Sequence, residues 1–192
     1  MAFHKNSWNI ILASKSPRRQ SLLKELGFDF EIRTKEVAEI YPPTLKREQV
    51  ALFLSELKAD AFVAELNDND LIITSDTIVC LGEQIIGKPV DRNDAIKMLQ
   101  QLAGNKHEVI TAVTLLSKEK RTSFYEVTEV YFKPLSLSEI TYYVDNFEPY
   151  DKAGSYGIQE WIGYIGIQKI VGSYFNVMGL PVHQLYEELI KF

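Results

Sequence analysis

Three short stretches of this sequence carry the residue types that chemistry on a phosphate needs. Ser14-Lys15-Ser16-Pro17-Arg18-Arg19 gathers hydroxyls and guanidinium groups around a helix start. Backbone N–H groups at such a start, with the planar donor fork of arginine, form an anion site. The same residues also make an ordinary capped helix with solvated arginines. No Walker loop is present, because the G-x-x-x-x-G-K spacing is missing. Asp76-Thr77 follows the apolar run Leu71-Ile72-Ile73-Thr74, which puts an acidic side chain at the mouth of a buried strand. A carboxylate there binds metal, pairs with a cation or does chemistry; otherwise it caps a turn. Gly87-Lys88-Pro89 presents a lysine from a short turn, either toward a ligand or into solvent.

Other candidates are single residues. Glu39 lies in the loop before Pro42-Pro43, a setting that suits a surface carboxylate. Lys58 borders an apolar helical stripe, along which its stem can snorkel. Cys80, the single cysteine, reads as a buried structural thiol and rules out an internal disulfide. His4, His107 and His183 are too scattered for a zinc site, and no G-x-S-x-G elbow supports a hydrolase triad. Taken together, cations suited to phosphates accompany carboxylates suited to a hard metal. Mg²⁺ is commonly held by one or two carboxylates plus substrate phosphates.

The elements that must position these residues follow from the patterning. Trp8–Ala13 reads as a buried strand, and Ser16 as the N-cap of a helix with Pro17 at its first position and Gly27 past its end. Phe28, Phe30 and Ile32 alternate as a strand. Val50, Leu54, Leu57 and Ala61 step as an amphipathic helix. Leu71–Thr74 is a buried strand, and a helix starts near Asp91 and stops at Gly104. Val109–Leu115 and Ser123–Phe132 form a hairpin. Ser136-x-x-Glu139 is a capping box opening a helix through Tyr143. Trp161–Val171 reads as strand-like, and a helix from Pro181 to about Lys191 ends the chain. Alternating strands and helices with one hairpin predict an α/β class with a mixed sheet.

Composition bounds the partner. With 192 residues, 46% hydrophobic and 24% charged, the chain suits one domain, or one domain with two lobes, and disorder is excluded for its bulk. A net charge of −5 argues against a nucleic-acid coat or a basic membrane-surface protein. Ile170–Tyr186, the longest uncharged stretch, is too polar to span a bilayer, and Met1–Asn9 lacks the apolar core of a secretory signal. A cytoplasmic location is expected. Six of the ten glycines fall between residues 154 and 179, which marks either a crowded sheet core or a loop facing a ligand.

LASKSPRRQSLLKELG (12–27) closely resembles the signature of the Maf family of nucleoside triphosphate pyrophosphatases. The likeness continues through Glu39, Lys58 in ELKADA, SDTIV (75–79), GKPVDRNDA (87–95), LAGNKHEVITAV (102–113), KAGSYGIQ (152–159) and IVGSYFNVMGLP (170–181). The resemblance implies an inosine-triphosphatase-like fold, a curved mixed sheet with flanking helices in one domain over 1–192, its two lobes around a central cleft. It implies metal-dependent cleavage of a nucleoside triphosphate between its α and β phosphates, with Mg²⁺ or Mn²⁺ as cofactor. On the matching positions, Asp76 is the proton acceptor and Ser14, Arg18, Glu39, Lys58 and Lys88 belong to the cleft. Arg18, Thr77 and Gln159 match the branch acting on dTTP and UTP.

On that basis Arg18, Arg19 and the helix start after Ser16 bind phosphate, while Lys88 and Lys58 offset charge on the leaving pyrophosphate. Glu39 and Asp76 hold the metal, and Gln159 meets a pyrimidine edge with a donor and an acceptor. Three residues depart from the family pattern: Ala38 stands where an acidic residue is frequent, and Glu160-Trp161 where a small residue is common. The implied partner is a small nucleotide, with no stable nucleic-acid or membrane binding, and a homodimer is left open. The alternatives are a house-cleaning enzyme for modified nucleotides, such as 7-methyl-GTP or methylated pyrimidines, and a nucleotide-binding regulator of septum formation.

Overall fold

A computed structural model describes residues 8–192; His4 and most of the Met1–Asn9 stretch lie outside them. In chain order the elements are β1 (Asn9–Leu12), α1 (Pro17–Glu25), β2 (Glu31–Ile32), α2 (Glu48–Asp60), β3 (Asp70–Leu81) and β4 (Gln84–Ile86). There follow α3 (Arg92–Leu102), β5 (Lys106–Leu116), β6 (Arg121–Phe132), α4 (Leu137–Phe147), α5 (Trp161–Gly166), β7 (Ile167–Val171), α6 (Tyr174–Met178) and α7 (Val182–Lys191). The strands form one sheet in the order β2-β1-β3-β5-β6-β7, with β4 added to β3. β1 runs parallel to both β2 and β3, whereas β4 on β3 and β7 on β6 are antiparallel. The expected mixed α/β sheet with flanking helices is the fold observed.

The chain divides into two compact units, one of 8–76, 111–126 and 179–192, the other of 77–110 and 127–178. In the first, Ile11, Ile72 and Leu116 from the sheet pack with Ala59, Phe62 and Leu66. β1 reads as an apolar run because successive residues Ile10, Ile11 and Leu12 are all buried, so both faces of this parallel strand are covered. In the second unit, α3 and α4 bring Leu99, Leu102, Ile140, Tyr143 and Val144 onto Val79, Val109 and Val130. Both helix starts are built as their sequences predict. Asp91 accepts the Asp94 N–H at 2.8 Å, and Ser136 and Glu139 close a reciprocal capping box.

Three expectations change. The strand ending at Thr74 instead runs on to Leu81, so Ser75, Asp76 and Thr77 lie inside β3 rather than in a loop after it. Phe28–Ile32 shrinks to Glu31–Ile32, because β1 is four residues long and only its last two pair with β2. Trp161–Val171 is not one strand. Residues 161–166 form a helical turn with Ile162 and Gly166 buried and Tyr164 exposed, and only Ile167–Val171 pairs with β6. β4 and α6 carry too few residues for a periodic signal and went unread. No helix among the described residues is long and apolar enough to cross a membrane.

Candidate active site

The site in the first unit is set by two registers. Residues two apart on a strand share a face, and residues three apart on a helix share a side. Thr74 and Asp76 therefore line one face of β3, while Ser55 and Lys58 follow one side of α2. Thr74 Oγ1 donates to the Ser55 carbonyl at 2.7 Å, and Ser55 Oγ lies 2.9 Å from Thr114 Oγ1, all within the buried interior. That hydroxyl seam docks α2 against the sheet and carries Lys58 to Asp76. Lys58 Nζ lies 2.5 Å from Asp76 Oδ1 and 2.9 Å from Glu39 Oε1. The Asp76 side chain is 9% exposed, that of Lys58 19% and that of Glu39 45%, so the cation joins a buried carboxylate to one facing solvent. A buried carboxylate is costly without such a partner. Sequence reasoning missed Ser55 and Thr74; each is a hydroxyl inside an otherwise apolar stripe, which is the signal that could have found them.

Arg19 is anchored on two backbone carbonyls. Its Nε donates to the Gly179 carbonyl and its Nη1 to the Ser75 carbonyl, both at 2.8 Å. Ser75 Oγ also donates to the Gly179 carbonyl, at 3.1 Å. Burial lowers the proton affinity of the Arg19 guanidinium below its ordinary value, and the negative charge of Asp76 partly restores it. Arg19 thus ties α1 to the backbone beside Asp76. Ser14 is buried; its Oγ accepts the Ser16 N–H at 3.2 Å, and its carbonyl accepts the Gln20 side-chain amide at 3.1 Å. Ser16 holds the N-cap position in extended backbone, but its hydroxyl makes no capping bond. The cap predicted from its residue type is therefore positional only, with Pro17 fixing the first turn. Arg18, one residue further on, is half-buried.

In the second unit, Thr77 is half-buried on β3 and Lys88 is exposed in the turn after β4. That turn is held by Gly154, whose N–H donates to the Gly87 carbonyl at 3.0 Å. Gly154 has φ +71°, a left-handed backbone that favours glycine, and a Cβ there would stand 3.1 Å from Val79 Cγ2, so a side chain would be both strained and crowded against β3. Gln159 is half-buried in the turn that follows, between buried Ile158 and Glu160.

Among the described residues, no group of three or more His, Cys, Asp or Glu side chains is gathered as a metal site. Asp76 and Glu39, drawn to one ammonium, are nonetheless hard oxygen donors. A pair of that kind fits Mg²⁺ or Mn²⁺ when substrate phosphates complete the coordination shell.

A family model described as Maf-like protein matches residues 9–192. The chain belongs to the Maf-like family. All the site residues described above lie within the matched span. A Flavobacterium johnsoniae protein named dTTP/UTP pyrophosphatase is 51% identical over 182 residues, covering 95% of this chain and 94% of that protein. A Cytophaga hutchinsonii protein of the same name is 52% identical over 188 residues, covering 98% of this chain and 86% of that one. The solved structure of the Staphylococcus aureus Ham1 protein is similar at 16% identity and a TM-score of 0.44, over 65% of this Maf-like chain and 71% of the other.

Proposed function

We propose that this chain hydrolyses dTTP and UTP between the α and β phosphates, releasing the nucleoside monophosphate and pyrophosphate. The observation that carries the chemistry is the Asp76–Lys58–Glu39 group, an ammonium held between two carboxylates, one of them within β3. The substrate follows from relatives about half identical over nearly the whole chain, which bear the name dTTP/UTP pyrophosphatase.

In the reaction a water oxygen bonds to the α phosphorus, the bond from that phosphorus to the α–β bridging oxygen breaks, and pyrophosphate leaves with the bonding pair. Asp76 orients the water and takes its proton. Lys58 turns from the carboxylates to the phosphate oxygens when the triphosphate arrives, and Lys88 offsets charge on the leaving group. Ser14, Arg18 and the first amides of α1 after Ser16 hold phosphate oxygens. Arg19, committed to the Ser75 and Gly179 carbonyls, keeps the backbone beside Asp76 in place. Thr77 and Gln159 contact the nucleoside, with the Gln159 amide meeting both a donor and an acceptor on a pyrimidine. Asp76 and Glu39 would hold a divalent cation, Mg²⁺ or Mn²⁺, which when bound neutralises charge on the phosphoryl oxygens.

A nucleotide panel with Mg²⁺ or Mn²⁺, in which pyrophosphate, orthophosphate and monophosphate are measured separately, tests this. Equimolar pyrophosphate and monophosphate, fastest from dTTP and UTP, is the expected result. Orthophosphate as the first product, or no turnover of either nucleotide, overturns the reading.

A further inference from the structure

Gln159 sits at the third position of a tight turn, Gly157-Ile158-Gln159-Glu160, closed by the Glu160 N–H on the Gly157 carbonyl at 3.0 Å. One hydroxyl staples both ends of that turn. Tyr143, fully buried on α4, accepts the Gly157 N–H at 3.0 Å and donates its own proton to Glu160 Oε2. The other oxygen of the same carboxylate, Oε1, lies 3.2 Å from Lys152 Nζ, whose side chain is 9% exposed. Lys152 also bonds Asp151 at 2.7 Å. The approach is close enough that a Cβ on Gly157 would stand 2.6 Å from Glu160 Cδ, so the staple needs glycine there. Ile158 is buried and anchors the second corner, which leaves Gln159 as the residue the turn presents.

We propose that Glu160, held between Tyr143 and Lys152, is a positioning residue that fixes the Gly157–Gln159 turn and thereby sets nucleobase selectivity. The inference rests on the reading of the chain as a dTTP/UTP pyrophosphatase in which Gln159 meets the base. Specificity read through hydrogen bonds needs the reading group fixed to a fraction of an ångström, and a glutamine on a free loop pays the ordering entropy at each binding event. Here a buried ion pair and a two-way hydroxyl bond order it beforehand. Burial first, then the bond to Glu160, pushes the Tyr143 phenol well above its usual range, so it stays a donor at every working pH.

Pyrophosphate release from dTTP, UTP and GTP tests the inference, with the thermal midpoint of each variant recorded alongside. If Glu160 positions the reader, Glu160→Ala and Tyr143→Phe raise KM for dTTP about tenfold, the worth of one hydrogen bond to a charged group, and leave kcat within about twofold. The preference for dTTP over GTP narrows by a similar factor. Glu160→Gln, which keeps an acceptor for Tyr143, falls between wild type and Glu160→Ala. Tyr143→Phe removes one hydroxyl and leaves both charges paired, so the test stands even where Glu160→Ala does not fold. Variants that melt like wild type and keep its KM and nucleotide ranking overturn the proposal, as does a loss of kcat shared equally by all three nucleotides. Absence of dTTP and UTP turnover in the wild-type chain defeats the enzymatic reading and the inference together, which separates the two failures.

Discussion

Lys58 satisfies two carboxylates at once, and that economy makes its neighbours sensitive to single changes. Asp76→Asn keeps an acceptor for the ammonium and removes the base. It should lower kcat by roughly 10²–10⁴-fold with little change in thermal midpoint, read from pyrophosphate release beside a melting curve. Lys58→Met should lower activity too, and it makes a second, separate prediction. With the ammonium gone, Asp76 and Glu39 lose the cation they share, so Mn²⁺ added without nucleotide should raise the melting temperature of this variant more than that of wild type. Equal shifts in the two proteins would show that the carboxylates do not share the ion. These residues were legible as types: Asp76, Lys58, Glu39, Arg18 and Lys88 stood out for their charge and spacing. The bond that joins Lys58 to Asp76 was not, since it depends on where α2 docks. The anchorage of Arg19 was not legible either, because two backbone carbonyls far along the chain cannot be seen in a run of basic residues.

Elements whose ends are written locally came through intact, and those decided by distant contacts did not. The Ser136 capping box is a pattern within four residues, and Ser136→Ala should cost about 1 kcal/mol in a denaturant titration. β3 shows the opposite case. Ser75-Asp76-Thr77 has the polarity of a loop, but each neighbouring polar group finds a partner across the structure: Thr74 on Ser55, Ser75 on Gly179, Asp76 on Lys58. Strand pairing therefore continues where composition alone would end it. The segment from Trp161 misled for a related reason. Its apolar residues suit a strand, and the helical turn shows only in the burial of Ile162 and Gly166, four residues apart. Gly154→Ala belongs to this scale as well. The left-handed backbone and the approach to Val79 should together cost about 1–2 kcal/mol, and the loosened Gly87 turn should raise KM for the nucleotide.

For the molecule as a whole, His107 predicts a pH dependence of stability. Its ring is 1% exposed, lies 2.7 Å from the Tyr156 hydroxyl and packs edge-on against Phe132. Burial lowers its pKa from 6.5 to about 4. Between those values the unfolded chain takes up a proton that the folded chain refuses, so stability falls as pH drops through that window and His107 adds no slope above it. The loss attributable to this one residue reaches about 3 kcal/mol by pH 4. His107→Gln keeps a polar partner for Tyr156 without a titrating group. Its unfolding free energy, measured at pH 7 and pH 4, should drop less than that of wild type by that amount. Carboxylates held low by their partners, such as Asp70 and Glu139, also release stability in acid, but they do so equally in both proteins and cancel in the difference.

The placement of Asp76 inside β3 bears on which lengths of chain are interchangeable. Had the carboxylate sat on a loop, a residue gained or lost nearby would shift it by an ångström or two, and a compensating change could restore it. On a strand of period two, deleting a single residue between Thr74 and Asp76 turns the carboxylate to the opposite face and away from Lys58, with no nearby adjustment able to bring it back. The turn between β5 and β6 holds none of the site residues, so a residue added at its exposed tip, Lys118–Glu119, leaves the face of Asp76 unchanged. Length variation in a designed or shuffled version of this chain is therefore best placed in such turns, while the length of 74–76 stays fixed.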